Sequence, residues 1–168
     1  MKTKDITIAI FALALLSLLA YMWFTPSGLK PAPELGFTTL EGREIQLAGL
    51  RGQPVLITFW ATTCSGCMEE MPHLIELYHE LQPRGLEIIG VAMAYDPPNQ
   101  VKTVQERFQV PYPIVLDLQE EAAMAFGNVR LTPTTFLISP EGRIVKQKIG
   151  EMDMERVRRD ILAMLSPA

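Results

Sequence analysis

The chain has 168 residues, 48% of them hydrophobic, which suits one domain of ordinary size plus a shorter accessory segment. Its 15 Lys and Arg against 19 Asp and Glu leave a formal charge of −4, with the signs mixed along the chain, so no basic stripe exists and nucleic acid is excluded as a partner. Cys64 and Cys67 are the only cysteines, which leaves no third thiol to carry a lipid.

After the basic start Met1-Lys2-Thr3-Lys4, residues Ile6 to Phe24 run for 19 positions without a charge. As a helix this run spans roughly 28 Å, close to the hydrocarbon thickness of a bilayer. It exceeds a typical signal h-region of roughly 7 to 15 residues, and Y-M-W-F-T-P after it offers no small-x-small cleavage site. Residues 1–24 are therefore read as an uncleaved signal anchor, with Lys2 and Lys4 in the cytoplasm and Tyr21, Trp23 and Phe24 at the interface. A cleaved signal peptide and a buried soluble helix are the alternatives. One inner-membrane span of this orientation places the rest of a bacterial chain in the periplasm, where disulfides form and persist. Residues 25–35, T-P-S-G-L-K-P-A-P-E-L, read as a proline-rich tether, and residues 36–168 as one domain without repeats.

Within that domain, F-T-T-L-E-G-R-E-I-Q-L predicts a hairpin around Glu41-Gly42-Arg43. Pro54 to Trp60, P-V-L-I-T-F-W, is a buried-strand run. From Ser65 to Leu81 the apolar positions Met71, Leu74, Ile75, Tyr78 and Leu81 recur at helical spacing, and Arg84-Gly85 ends the segment. Leu86 to Ala94 is a second buried strand, and Asp96-Pro97-Pro98-Asn99 turns into a helix over 100–108 with Val101, Val104 and Phe108 on one face. A short strand I-V-L and a helix around 120–126 follow. Thr134 to Ile138 then turns through Pro140-Glu141-Gly142 into R-I-V-K-Q-K-I. A last helix over 153–165 carries Val157, Ile161, Leu162 and Leu165 as a narrow stripe. Strand–helix–strand alternation closed by a hairpin and a helix predicts an α/β sandwich with a central mixed sheet.

Both cysteines lie in W-A-T-T-C-S-G-C-M-E-E-M-P, where a strand turns into a helix. That position puts Cys64 at the helix N-terminus, whose unpaired N–H groups and dipole stabilise a thiolate. The first sulfur is then the exposed attacker and the second, one turn inside, the resolving thiol. Zinc needs four ligands, yet His73 and His79 sit further along the same helix, where they cannot close a tetrahedron. Covalent haem needs a histidine after the second cysteine, and Met68 stands there. A structural clip across so small a loop constrains the unfolded chain little. An exchanging dithiol is the reading these residues favour over the other three.

F-W-A-T-T-C-S-G-C-M-E-E-M-P, followed at a distance by L-T-P-T-T-F-L-I-S-P-E-G-R-I, resembles the thioredoxin superfamily, and most closely its membrane-tethered TlpA/ResA/CcmG-like oxidoreductases. The likeness covers about Leu35 to the C-terminus and implies a thioredoxin-like fold with an N-terminal hairpin and a central insertion between about Asp96 and Leu116. It implies that Cys64 is the nucleophile, Cys67 the resolving cysteine and the two a redox disulfide. Thr132-Pro133 matches the loop with a cis X–Pro bond that receives substrate, Trp60 the aromatic behind the site and Pro72 the proline that kinks the helix. Glu70 matches a glutamate of the ResA-like branch; if buried it would have a raised pKa and carry protons for the thiols. An exposed first-turn charge is the other reading of Glu70, and Glu69 is expected to face solvent.

Two departures stand out. Thr63 replaces the tryptophan usual before the first cysteine, which alters the docking surface, and Thr58 stands where relatives carry a buried aspartate or asparagine. The resemblance implies no cofactor and no metal. Its partners would be a protein with a disulfide or thiol pair, such as apocytochrome c, and a thiol-transferring electron donor in the membrane. The function expected from this is an extracytoplasmic reductant of protein disulfides acting through Cys64 and Cys67, with cytochrome c maturation as the leading pathway; oxidase or isomerase activity, or a metal or haem-protein thiol chaperone, are the competing functions. Copper delivery would call for C-x-x-x-C and a distal histidine, and peroxidase chemistry for a threonine and proline before a lone cysteine; neither pattern is here.

Overall fold

The computed structural model describes Leu15, Ser17 and residues 30–165. The expected anchor lies outside these residues except for Leu15 and Ser17, which are helical; among the described residues no helix is long and apolar enough to cross a membrane. The described end of the expected tether lies along the domain. Pro31 bridges Arg143, Ala32 N–H donates to Gly142 O and Leu35 O accepts from Leu47 N–H. Ordered pairing therefore begins ahead of Gly36.

β1 (Gly36–Thr38) and β2 (Glu44–Gln46) form the expected antiparallel hairpin, with Phe37 opposite Ile45 on its buried face. The main sheet holds β3 (Val55–Trp60), β4 (Glu87–Ala92), β5 (Ile114–Leu116), β6 (Thr134–Ile138) and β7 (Ile144–Ile149), in the spatial order β5-β4-β3-β6-β7. The β3–β4 and β4–β5 pairs are parallel, and β3–β6 and β6–β7 are antiparallel. Parallel neighbours need a crossover, and helices α1 (Ser65–Leu81) and α2 (Pro98–Phe108) provide the two required here. With β5 at the sheet edge, α2 and β5 make up the surplus expected between Asp96 and Leu116. The short α3 (Glu121–Ala125) starts on the buried Asp117 carboxylate, which accepts from the N–H groups of Ala122 and Ala123 at 2.9 and 2.8 Å.

All six residues of β3 are buried because both faces of the sheet are covered. Its side chains alternate between two cores. Leu56 and Trp60 join Met71, Leu74, Leu77 and Leu81 of α1, with Val101 of α2 and Val157 and Ile161 of α4 (Met154–Leu165). Val55, Ile57 and Phe59 join the hairpin and α3, where the rings of Phe59, Phe126 and Phe136 meet at centroid distances of 4.9 to 5.9 Å. The buried face of α1 is turned from the expected one: Leu77 is in the core, while Ile75 and Tyr78 lie at its margin. The buried residues of α1 are Cys67, Glu70, Met71, Leu74, Leu77 and Leu81, the stripe that carries Cys67 inward.

Candidate active site

Ala61, Thr62 and Thr63 carry the chain from the end of β3 to the start of α1. Cys64 is the N-cap: its backbone is extended, its sulfur accepts from Cys67 N–H at 3.2 Å, and its carbonyl accepts from Met68 N–H at 3.2 Å. A side-chain sulfur thus fills the role that a hydroxyl or carboxylate oxygen has at most helix starts. The two cysteines are joined as a disulfide with their Cα atoms 5.3 Å apart. Cys64 is half-buried and Cys67 only 4% exposed, so Cys64 is the more accessible of the two.

Glu70 is buried, at 5% exposure, on the same face of α1 as Cys67. Its Oε1 accepts from Met152 N–H at 2.7 Å. Burial pushes the Glu70 carboxyl above the usual carboxylate range and the Glu151 charge adds to this, while the Met152 N–H and His73 oppose it. Tyr112 lies beneath, also buried, and its phenol is pushed up by burial and by the charge of Glu70. Glu69, by contrast, is exposed.

Thr132-Pro133 is a cis peptide, directly before β6. Pro133 is buried, Thr132 half-buried, and Pro133 O accepts from Gly150 N–H at 2.8 Å. Trp60 is 2% exposed in the core under α1. A Cβ on Gly90 of the adjacent strand would stand 3.2 Å from Trp60 Nε1 and 3.3 Å from Tyr112 Cε2, so a bare backbone there admits both rings. Thr63 is exposed. Thr58 is buried opposite Thr135, whose hydroxyl donates to Thr58 Oγ1 at 3.1 Å, so a neutral hydroxyl pair occupies this place in the core. His73 and His79 are both exposed, and among the described residues no three His, Cys, Asp or Glu side chains gather as a metal site.

Two parts of the site carry no sequence motif. Asp96, 2% exposed, accepts from Thr62 N–H at 2.6 Å and from the Thr62 hydroxyl at 2.5 Å. It holds the loop two residues before Cys64 from 34 residues away, whereas Asp96-Pro97-Pro98 reads only as a turn. The other is the loop 150–153 between β7 and α4, which reaches Pro133 through Gly150, Glu70 through Met152 and Gly66 through Glu151. Neither contact has a local signature, because each joins residues far apart in sequence.

Residues 29–147 match the AhpC/TSA family. The thiol-disulfide oxidoreductase ResA of Geobacillus thermodenitrificans is 39% identical over 130 residues, 77% of this chain and 74% of the relative. StoA from Bacillus subtilis superposes with a TM-score of 0.65 at 28% identity, over 77% of this chain and 98% of that one. The thioredoxin domain of a thiol-disulfide oxidoreductase from Bacteroides vulgatus superposes with a TM-score of 0.69 at 25% identity, over 82% and 99%. With a half-buried cysteine capping a helix, a buried cysteine behind it and a cis-proline loop before β6, the chain belongs to the AhpC/TSA family of thioredoxin-like proteins and is a thiol-disulfide oxidoreductase of the ResA-like kind.

Proposed function

We propose that this oxidoreductase works as a membrane-anchored reductant of protein disulfides outside the cytoplasm, with the haem-site cysteines of apocytochrome c as its leading substrate class. The apolar run Ile6–Phe24 and the basic residues before it support the anchor and its orientation. The observation that carries the direction is the burial of Glu70 beside the dithiol. Strong oxidants owe their high potential to a stabilised reduced form. When ionised, a carboxylate buried on the same helix face as Cys67 disfavours a thiolate beside it, which favours the disulfide state of this protein and hence reduction of its substrate.

In the forward reaction the Cys64 thiolate attacks one sulfur of the substrate disulfide, whose other sulfur leaves as a thiolate and takes up a proton. Thr132 and Pro133 hold the substrate chain of this mixed disulfide. Glu70 accepts the proton of Cys67, and the Cys67 thiolate attacks the Cys64 sulfur. The second substrate thiol is released, Cys64–Cys67 is left oxidised, and two electrons have moved to the substrate. A membrane thiol donor then returns two electrons and two protons to the pair.

Cys67→Ala stops the sequence at the mixed disulfide. Expressed in cells, this variant should hold c-type apocytochromes as reducible covalent adducts on Cys64. Retention of metal without any protein adduct would instead support the chaperone function. A reduction potential of the wild-type pair well above about −200 mV would overturn the direction.

A further inference from the structure

The loop 150–153 places a carboxylate at the dithiol. Glu151 is exposed, yet its Oε1 lies 2.9 Å from where a Cβ on Gly66 would stand, and its Cγ and Cδ lie at 3.4 and 3.6 Å. Gly66 is one of the two residues between the cysteines, so the Glu151 carboxylate rests on the first turn of α1. Any side chain at position 66 would have to displace it. The backbone on both sides is tied down, with Gly150 N–H on Pro133 O and Met152 N–H on Glu70. Lys148 and Arg156 line the same groove of about 430 Å³, but among the described residues neither they nor any other cation forms an ion pair with Glu151. Thr63, on the other side of Cys64, adds no charge of its own.

We propose that Glu151 is a specificity-determining residue: seated on Gly66, its carboxylate makes the dithiol prefer disulfides flanked by positive charge and disfavour those flanked by negative charge. The inference rests on the exchange chemistry described above, and not on the direction in which the protein works. A unit charge about 6 Å from a carboxylate in water changes an encounter by about threefold, with sign. Cationic and anionic disulfides should therefore separate by about five- to tenfold at low salt. The separation should collapse in 1 M salt, where the Debye length is about 3 Å.

The test uses reduced full-length protein and times its oxidation by cystamine, dithiodipropionate and the neutral hydroxyethyl disulfide. In each case Cys64 displaces one small thiol and Cys67 the second, so two electrons pass to the added disulfide. The cystamine-to-dithiodipropionate rate ratio cancels any general effect of a substitution on thiol reactivity. Glu151→Gln should lower that ratio about five- to tenfold at low salt. Gly66→Ala should lower it as well with no change of charge, because a carboxylate at the end of a flexible side chain moves aside without threatening the fold. Glu69→Gln, an equal change of net charge on an exposed residue of the same helix, should leave the ratio within about twofold.

An unchanged ratio in Glu151→Gln, an unchanged ratio in Gly66→Ala, or an equal fall in Glu69→Gln would each overturn the proposal. In those cases normal reaction with hydroxyethyl disulfide would leave the exchange chemistry standing. If wild-type protein failed to react with hydroxyethyl disulfide, the exchange chemistry and this inference would fall together.

Discussion

Replacing Asp96 by alanine should release the loop that presents Cys64. The carboxylate is buried and accepts two hydrogen bonds from Thr62, one from its N–H at 2.6 Å and one from its hydroxyl at 2.5 Å. A hydrogen bond to a charged group contributes about 1.5–3 kcal/mol. Two such bonds give a ceiling of about 6 kcal/mol, and because Thr62 is only partly buried, water can replace some of this. The expected loss for Asp96→Ala is therefore about 3 kcal/mol, or roughly 6–12 °C in Tm for a chain of this size. Asp96→Asn is the informative companion. Its carbonyl can keep the Thr62 N–H, and its amide can donate to the Thr62 hydroxyl if that hydroxyl turns to Gln100 Oε1, 3.2 Å away. Only the charge assistance is lost, at about 1 kcal/mol. Urea unfolding of the oxidised proteins gives the energies, and oxidation of the reduced proteins by hydroxyethyl disulfide shows whether Cys64 is still presented. An Asp96→Ala protein within about 0.5 kcal/mol of wild type, with unchanged exchange, would refute the reasoning.

Glu70 binds its proton more readily in the folded than in the unfolded chain, so it destabilises the fold once ionised. The sign follows: this contribution is absent below the ordinary carboxylate range and grows as pH rises through the raised folded value. Glu70→Gln, whose amide oxygen can still accept from Met152 N–H, should therefore gain stability relative to wild type between pH 4 and pH 7, measured by urea unfolding at both values. The same variant should flatten the pH profile of second-thiol reactivity, and an unchanged profile of Cys67 release would remove Glu70 from the mechanism. Gly90→Ala should cost about 1–3 kcal/mol, since its methyl would stand 2.7 Å from Ile114 Cδ1 as well as against Trp60 and Tyr112. Chemical denaturation measures this, and near-ultraviolet circular dichroism should report the displaced rings; a neutral substitution would mean that the two aromatics are not held by this close approach.

Most of the fold is legible in the chain because its signals are local. V-L-I-T-F-W is apolar throughout because β3 is covered on both faces, and it emerges as the central strand. The helical spacing after Cys64 identifies α1, but periodicity alone sets its inward face a residue or two off, as Leu77 shows. The stretch before Gly36 reads as a tether from its prolines, while its pairing with residues 142–144 depends on a hairpin more than a hundred positions away.

The sequence by itself determined the scaffold and the place on it where the two cysteines fall. Two cysteines at the junction of a strand and a helix define the capping sulfur and the buried one, because helix geometry over three residues leaves little choice. The tertiary structure alone decided the environment that sets how those sulfurs behave. Glu70 has the two readings, exposed charge or buried acid, until the loop 150–153 covers it and supplies Met152 N–H. Asp96 becomes part of the site when β4 runs beside β3, and Glu151 when β7 ends beside the cis-proline loop. Desolvation and hydrogen bonding between distant segments act only once the chain is folded, so neither leaves a local pattern to read.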